Sequence, residues 1–238
     1  MTGGSRGIGR AIAAALSASG RRVTIIGRDR GALEAALEEG IAVEAEALDV
    51  TDGDALRDYV AGRGFGIVVN NAGGVETRTF LQTDTQLLRR MFALNVESAA
   101  SATRACLPAM IERGYGRIVN IASTAGLKGY AYVSAYVAAK HALIGLTRSI
   151  ALEVARHGIT INAVCPGYTD TDLVADSVRQ IVGKTKRSEA ETIAQLVGAN
   201  PLRRLITPQE VADTVLWLCG RQASAINGQT IAVAGGEV

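Results

Sequence analysis

The sequence predicts a single α/β domain, with a parallel sheet covered by helices on both faces. Three observations carry that prediction. A glycine-rich turn, Gly3-Gly4-Ser5-Arg6-Gly7-Ile8-Gly9, opens a helical run from Arg10 to Ala18 and is followed by the strand Val23-Thr24-Ile25-Ile26. Short β-branched runs then alternate with helical patterns as far as Val233. The 238 residues are 48% hydrophobic but only 4% aromatic, with abundant Ala and Gly, which suits one full sheet packed closely between two helix layers.

Composition also excludes several classes. A formal net charge of +2, dispersed along the chain, is too small for a nucleic-acid footprint. Cys106, Cys165 and Cys219 are odd in number, far apart and in no CxxC spacing, and read as buried thiols in a reducing compartment. No His/Cys/carboxylate cluster stands at metal-ligand spacing, so no metal is expected. No leader opens the sequence and no apolar run reaches spanning length, so the expected location is the cytoplasm, without a membrane partner.

Taken in order, the first element is the glycine turn. Gly3, Gly7 and Gly9 let backbone N–H groups approach a pyrophosphate at the positive end of the following helix. A dinucleotide fold places a strand immediately before such a turn, and here the sequence starts at Met1. The expectation is that the sequence starts late; the rival is that another segment fills the slot. The next strand ends at Gly27-Arg28-Asp29. An acidic residue at the strand end would accept from a ribose 2′-OH and favour NAD(H). Gly27 stands there instead, with Arg28 beside it and Arg6 in the glycine turn, and two guanidiniums can grip a 2′-phosphate. NADP(H) is the expected cofactor. In the rival reading Arg28 is a solvated loop cation and Asp29 does the acidic work.

A helix over Leu33 to Leu37 and a strand over Ala42 to Leu48 come next, followed by Asp49-Val50. The Asp49 carboxylate suits an adenine amino group or the N-cap of the following helix. Ile67-Val68-Val69 is a buried-type strand running into Asn70-Asn71-Ala72-Gly73, whose small residues let backbone lie against a flat cofactor. A long helical pattern runs from Asp84 to about Arg113 with Asn95 in its middle, a residue that competes with helix backbone and can hold a distortion and a water. The strand Arg117 to Ile121 then delivers Ser123 at its C-terminal end, where open parallel sheets hold ligands.

Tyr136 and Lys140 follow on one helix face, at i and i+4. A phenol has a reference pKa of about 10, and an adjacent ammonium would lower it toward useful acid–base chemistry. Ser123 can polarise a carbonyl or alcohol oxygen at the same place.

These residues resemble the short-chain dehydrogenase/reductase family in its single-domain branch. The matches are Thr2-Gly3-x-x-x-Gly7-Ile8-Gly9, Asn70-Asn71-Ala72-Gly73, Asn95, Ser123, Tyr136-x-x-x-Lys140 and Pro166-Gly167-x-x-x-Thr171. They fall in the family's order and cover essentially the whole chain, ending at Asn227-Gly228-Gln229 and the strand Thr230 to Val233. The resemblance implies a Rossmann-like doubly wound sheet lacking its first strand, and one catalytic domain over residues 1–238. It implies that Tyr136 exchanges a proton with the substrate oxygen, Ser123 hydrogen-bonds that oxygen, and Lys140 holds the nicotinamide ribose and lowers the Tyr136 pKa. Asn95 anchors a water, while Pro166, Gly167 and Thr171 hold the carboxamide. Ala234 departs from the family, whose members often carry an acidic residue there.

The resemblance also makes the region of about 172–200 a substrate lid. Within it, Lys184-Thr185-Lys186-Arg187 suits phosphates of coenzyme A or an acidic carrier protein, or else a solvated turn. Tyr130, Tyr132 and Tyr168 flank matched elements and are expected near the substrate. A last helix runs from Pro208 to Gly220. The expected activity is NADP(H)-dependent interconversion of a ketone and a secondary alcohol, foremost 3-oxoacyl-CoA or carrier-bound 3-oxoacyl to 3-hydroxyacyl. The alternatives are a dehydrogenase of a sugar, steroid or cyclic hydroxy acid, and a non-catalytic NADP(H)-binding sensor. A homotetramer or homodimer is the assembly the resemblance implies.

Overall fold

The structure is a computed structural model that describes residues 1–185 and 187–238, with the side chains of Gln180 and Lys184 left aside. Its strands are β1 (Thr24–Gly27), β2 (Glu44–Ala47), β3 (Ile67–Asn70), β4 (Gly116–Ile121), β5 (Ile159–Pro166) and β6 (Thr230–Val233). The helices are α1 (Gly7–Ala18), α2 (Arg30–Glu38), α3 (Gly53–Val60), α4 (Thr85–Phe92), α5 (Ser98–Arg113), α6 (Ser134–Val154), α7 (Asp172–Lys184), α8 (Glu189–Leu196) and α9 (Pro208–Leu218). Every named strand pairing is parallel. One run is β3-β4-β5-β6 and the other is β1-β2.

Thr2 joins the two runs. It forms parallel bridges to both Ile26 and Asn70, its N–H donating to the Val69 carbonyl at 3.0 Å. The Ile26 N–H donates to the Met1 carbonyl at 2.9 Å, and the Gly3 N–H to the Ile26 carbonyl at 2.7 Å. The glycine turn therefore leaves the middle of the sheet, between β1 and β3. Met1 and Thr2 lie between these strands beside Thr24, Ile26, Phe65, Ile67, Val68 and Cys106.

Period-2 alternation in the strands sends neighbouring residues to opposite faces. Ile25, Val69 and Val119 pack under α1, α2 and α9 with Ile12, Leu16, Leu33, Val211 and Leu218. Ile26, Val68 and Ile118 face α3, α5 and α6 with Leu56, Val60, Ala102, Met110 and Ala151. This is the doubly wound arrangement expected. All three cysteines are buried and free, also as expected. Among the described residues no helix is long and apolar enough to cross a membrane.

The expected long helix from Asp84 is broken into three parts. Asp84 caps α4 by accepting from the Leu87 N–H, and a π-helical turn, Ala93–Glu97, separates α4 from α5. Asn95 sits in that turn, 2% exposed, so its side-chain demands distort the helix rather than merely ride on it. Beneath α6, a buried relay holds the helix to the sheet. Asn70 Nδ2 donates to Asn120 Oδ1 at 2.8 Å, Asn120 Nδ2 donates to Thr147 Oγ1 at 2.8 Å, and the Thr147 hydroxyl donates to the Leu143 carbonyl at 2.7 Å. Leaving one member unpaired would cost about 1–3 kcal/mol, which fixes the height of α6 above β3 and β4.

Candidate active site

The cofactor turn is tied to the strand end of β3 by side-chain bonds. The Thr2 hydroxyl accepts from the N–H groups of Asn71 and Ala72, each at 3.1 Å, and Asn71 Nδ2 donates to the Gly3 carbonyl at 2.8 Å. Gly9 packs so closely that a Cβ there would overlap the Gly3 carbonyl, so only glycine closes this turn. Gly7 lies against Thr171, whose Cγ2 would stand 3.2 Å from a Cβ on Gly7. The structure thus brings Gly3, Gly7, Gly9, Asn71, Ala72 and Thr171 together. The side chain of Thr171 itself donates to the Thr169 carbonyl at 3.2 Å.

This cradle fits a dinucleotide pyrophosphate. The N-terminus of α1 has no side-chain cap and no acidic residue in its first turn, so its leading N–H groups point out unclaimed by carboxylates. Ile8 and Val50, also expected at the cofactor, pack their side chains into the core. Val50 is buried with Ile26 and Leu56, and the part-buried Ile8 packs against the core on the other face. Apolar side chains go where water is excluded, so the buried Val50 offers a ligand chiefly its backbone, while Ile8 stays partly exposed.

On the adenosine side, Arg6 and Arg28 are exposed and each meets a carboxylate. Arg6 pairs with Asp29, and Arg28 Nη1 lies 3.9 Å from Asp49 Oδ2. Asp29 caps α2 by accepting from the Ala32 N–H at 3.0 Å, and that bond, with the Arg6 guanidinium, holds its carboxyl below the usual carboxylate range. The N-cap role considered for Asp49 goes to Asp52, which accepts from the Ala55 N–H at 3.0 Å. Asp49 Oδ1 instead accepts from the N–H and hydroxyl of Thr51, at 2.9 and 2.8 Å, because it lies three residues too early for the helix. Ser5 lies near Gly27, which keeps this rim narrow.

The catalytic candidates converge at the C-terminal ends of β4 and β5. Ser123 follows β4, and its hydroxyl accepts from the Ala125 N–H at 3.1 Å. Lys140, 4% exposed, donates to the Ile121 carbonyl at 2.8 Å, and its Nζ stands 5.6 Å from the centroid of the Tyr136 ring. Asn95 Nδ2 donates to the carbonyls of Gly74 and Met91, each at 3.0 Å, and its Oδ1 accepts from the Gly74 N–H at 3.3 Å. A Cβ on Gly73 would lie 2.8 Å from Asn95 Oδ1 and 3.4 Å from Lys140 Nζ, so that glycine lets Asn95 and Lys140 share one corner. Pro166 ends β5 and Gly167 follows it, bonded through its N–H to the Val233 carbonyl at 3.1 Å.

The electrostatics correct one expectation. Burial raises the Tyr136 pKa, opposed by the neighbouring Ser123 hydroxyl, and the adjacent Lys140 does not reverse the shift. Burial in turn pulls the Lys140 ammonium down to about 8. Both groups lose hydration in the same enclosure, and desolvation disfavours phenolate and ammonium alike. Lys140 directs its proton to a backbone carbonyl instead of the phenol.

Three residues escaped the sequence reading. Thr124, Lys128 and Glu237 stand beside Tyr130, with hydrogen bonds linking all four. No motif or spacing joins Glu237 to residues more than a hundred positions earlier; a carboxylate following Gly235-Gly236 is the only local signal. Tyr168 packs edge-on against Tyr130 with centroids 6.4 Å apart, as expected for neighbours at one wall. Tyr132 is exposed at φ 67, its carbonyl accepting from the Arg78 N–H at 2.8 Å. Of the basic run, Lys186 and the Lys184 side chain lie outside the described residues, while Arg187 is exposed and bonded to Gln195. Among the described residues no group of metal-ligating side chains occurs.

Known proteins resemble this chain along its length. Residues 1–181 match the family model described as short chain dehydrogenase. D-beta-hydroxybutyrate dehydrogenase of Rhizobium meliloti (strain 1021) is 35% identical over 249 residues, covering 99% of this chain and 96% of the relative. A candidate ketoacyl reductase of the granaticin polyketide synthase of Streptomyces violaceoruber is 37% identical over 248 residues, covering 99% and 91%. Among solved structures, a single-substitution variant of actinorhodin polyketide ketoreductase with NADPH superimposes with a TM-score of 0.93 at 33% identity, covering 99% of this chain and 95% of that one.

Proposed function

The chain belongs to the short chain dehydrogenase family, and on that footing we propose that it is an NADP(H)-dependent ketoreductase of 3-oxoacyl thioesters, carried on coenzyme A or an acyl carrier protein. Membership makes it an NAD(P)-dependent oxidoreductase of ketones and secondary alcohols. The observation that carries the mechanism is the convergence of Ser123, at the end of β4, with Tyr136 and the buried Lys140, whose Nζ stands 5.6 Å from the Tyr136 ring centroid.

The nicotinamide cofactor, when bound, supplies the hydride; the chain's own residues handle orientation and the proton. The Ser123 hydroxyl donates to the substrate's carbonyl oxygen and places it next to Tyr136. A half-buried phenol with a raised pKa stays protonated at neutral pH, so Tyr136 is set to give its proton to that oxygen as negative charge builds there. That state suits ketone reduction, because alcohol oxidation needs the phenolate. Lys140 and Asn95 occupy one corner with Gly73, where Lys140 would hold the nicotinamide ribose and Asn95 would anchor a water linking Lys140 to solvent.

Two features support NADP(H). Arg6 and Arg28 are exposed, and ion pairs between exposed groups are worth only about 0–1 kcal/mol, so both guanidiniums can leave their carboxylates for a phosphate dianion. The ketoreductase with NADPH is also among the structural neighbours. The name of the D-beta-hydroxybutyrate dehydrogenase relative supports a second reading, dehydrogenation of a small hydroxy acid. A homodimer or homotetramer belongs to the first reading. Leu152 on α6 and Trp217 on α9, 84% and 40% exposed, are apolar groups that such contacts would cover.

A spectrophotometric screen of NADPH oxidation tests the proposal with acetoacetyl-CoA and longer 3-oxoacyl-CoA substrates against quinones, keto-sugars and acetoacetate. Thioester turnover preferring NADPH to NADH is the expected result. Turnover of another ketone with none of the thioesters would refute the thioester reading, and acetoacetate alone would establish the hydroxy-acid one.

A further inference from the structure

The segment after β6 closes on the substrate side of the site through one carboxylate. Gly235 and Gly236, at φ 62 and φ 88, fold the chain back against Asn200 and Pro201, and the Glu237 N–H donates to the Ala234 carbonyl at 3.2 Å. This turn buries the Glu237 side chain to 3% exposure. A buried carboxylate is costly unless paired and hydrogen-bonded. Glu237 Oε1 has two partners: Lys128 Nζ at 3.0 Å and the Tyr130 hydroxyl. Lys128 Nζ also donates to the Glu237 backbone carbonyl at 3.3 Å. The other carboxylate oxygen faces the cofactor side, since a Cβ on Gly167 would stand 3.1 Å from Oε2.

The consequence falls on Tyr130. Its single hydroxyl proton goes to Glu237, and Thr124 Oγ1 lies 2.7 Å away to donate to the same oxygen. Tyr130 therefore has no proton left for a substrate and offers its ring, set edge-on to Tyr168. Lys128 is neutralised in the same contact. Thr124 immediately follows Ser123, and the tied residues belong to the segment leading to Tyr136.

We infer that Glu237 is a positioning and specificity-determining residue for the ketone pocket: by holding Tyr130 and Lys128 it fixes segment 124–133 and makes the wall beside Ser123 an uncharged aromatic one. This rests on the ketone-reductase reading for its kinetic consequence, but the latch itself is a property of the fold. Glu237 acts through Tyr130 and not on the reacting atoms, so its removal alters substrate binding more than the chemical step.

The test uses Glu237→Ala, Glu237→Gln, Tyr130→Phe and the Glu237→Ala/Tyr130→Phe double variant of the full chain. In steady-state kinetics with acetoacetyl-CoA, Glu237→Ala is expected to raise KM at least five-fold, leaving kcat and the KM for NADPH within about two-fold. Glu237→Gln retains an acceptor for the Tyr130 hydroxyl and should recover most of the loss. The double variant should be no worse than Glu237→Ala, because both changes break one contact. Amide hydrogen exchange of segment 124–133, read without substrate, should accelerate in Glu237→Ala and return toward wild type in Glu237→Gln. Unchanged exchange in Glu237→Ala, an acetoacetyl-CoA KM within two-fold of wild type, or additive effects in the double variant overturns the inference. Should the wild type turn over no ketone, the proposed function fails and the exchange measurement alone decides the latch.

Discussion

The catalytic half of the site and its cofactor half are built on opposite principles. Ser123, Tyr136 and Lys140 stand on a continuous four-stranded run, with Lys140 and Asn95 buried and α6 held down by the Asn70–Asn120–Thr147 relay. The cofactor turn hangs from Thr2, which bridges β1 and β3, and its recognition cations lie in solvent. The difference follows from the work each half does. Burial sets the protonation of the groups in the catalytic half, keeping Tyr136 in its phenol form and pulling the Lys140 ammonium down to about 8. Capturing a multiply charged nucleotide requires accessible cations and open N–H groups, which burial would spoil.

The largest expected effect lies in the catalytic half. Tyr136→Phe removes only the hydroxyl, so NADPH affinity should stay within about two-fold while turnover falls on the order of 10³-fold, within the range for loss of a general acid. Single-turnover NADPH oxidation checks this. A drop below ten-fold would move the acid role to another group and erase the contrast between the halves.

Next comes the cost of burying Lys140. Its folded pKa of about 8 lies below the ordinary value of 10.5, so the ammonium is disfavoured in the folded state. Below pH 8 both states are protonated and the penalty is full. Between pH 8 and 10.5 the unfolded chain binds more protons, so stability rises with pH and the penalty disappears. The shift corresponds to about 3 kcal/mol. Lys140→Met lacks this titration, so the variant's stability relative to wild type should decline by up to about 3 kcal/mol from about pH 7.5 to about pH 10.5, measured by urea unfolding without cofactor. A difference constant across that window would mean that Lys140 is solvated.

What was legible in the sequence follows the same division. The positions of Ser123 at a strand end and of Tyr136 and Lys140 on one helix were readable because strand ends and helix periodicity leave local signals, and Asn95 sits in a π turn, the distortion its poor helix propensity allowed. The strands and most helices were readable from their period. The direction of the Tyr136 shift was not, because it comes from enclosure by elements far apart in sequence and not from its i+4 neighbour. The Asp49 cap went astray because Asp49 and Asp52 both precede α3, and only geometry chooses between them. Glu237 was invisible for a similar reason: its partners come from the segment after β4, and the contact exists only once β4, β5 and β6 lie side by side.

Thr2→Val probes the joint between the halves. The substitution keeps the shape and removes the hydroxyl that accepts from the Asn71 and Ala72 N–H groups. Leaving these donors unpaired should cost about 1–3 kcal/mol, read as a fall in Tm of about 2–4 °C per kcal/mol. Amide exchange at Asn71 and Ala72 should accelerate while β4 and β5 stay protected. Equal loosening of both regions would show that the two halves open as one unit.

The smallest effect, and the most diagnostic for the cofactor, belongs to Arg28. Its guanidinium is 76% exposed and makes only a loose pair with Asp49, at 3.9 Å, so Arg28→Asp should leave thermal stability nearly unchanged. Its consequence should appear only when a ligand carries a 2′-phosphate. Losing a charge-assisted contact while adding a negative charge beside Asp49 should weaken NADPH binding by about 1.4 kcal/mol, roughly ten-fold, with NADH binding unchanged or improved. Raised salt should narrow the gap, because the contact is exposed and screened. Fluorescence titration with NADPH and NADH at two ionic strengths reads all three quantities. If the NADPH/NADH ratio holds, Arg28 is a solvated cation and the 2′-phosphate reading falls to Arg6 alone. That outcome would leave the cofactor half resting on its backbone N–H groups, with much less of its recognition carried by exposed charge.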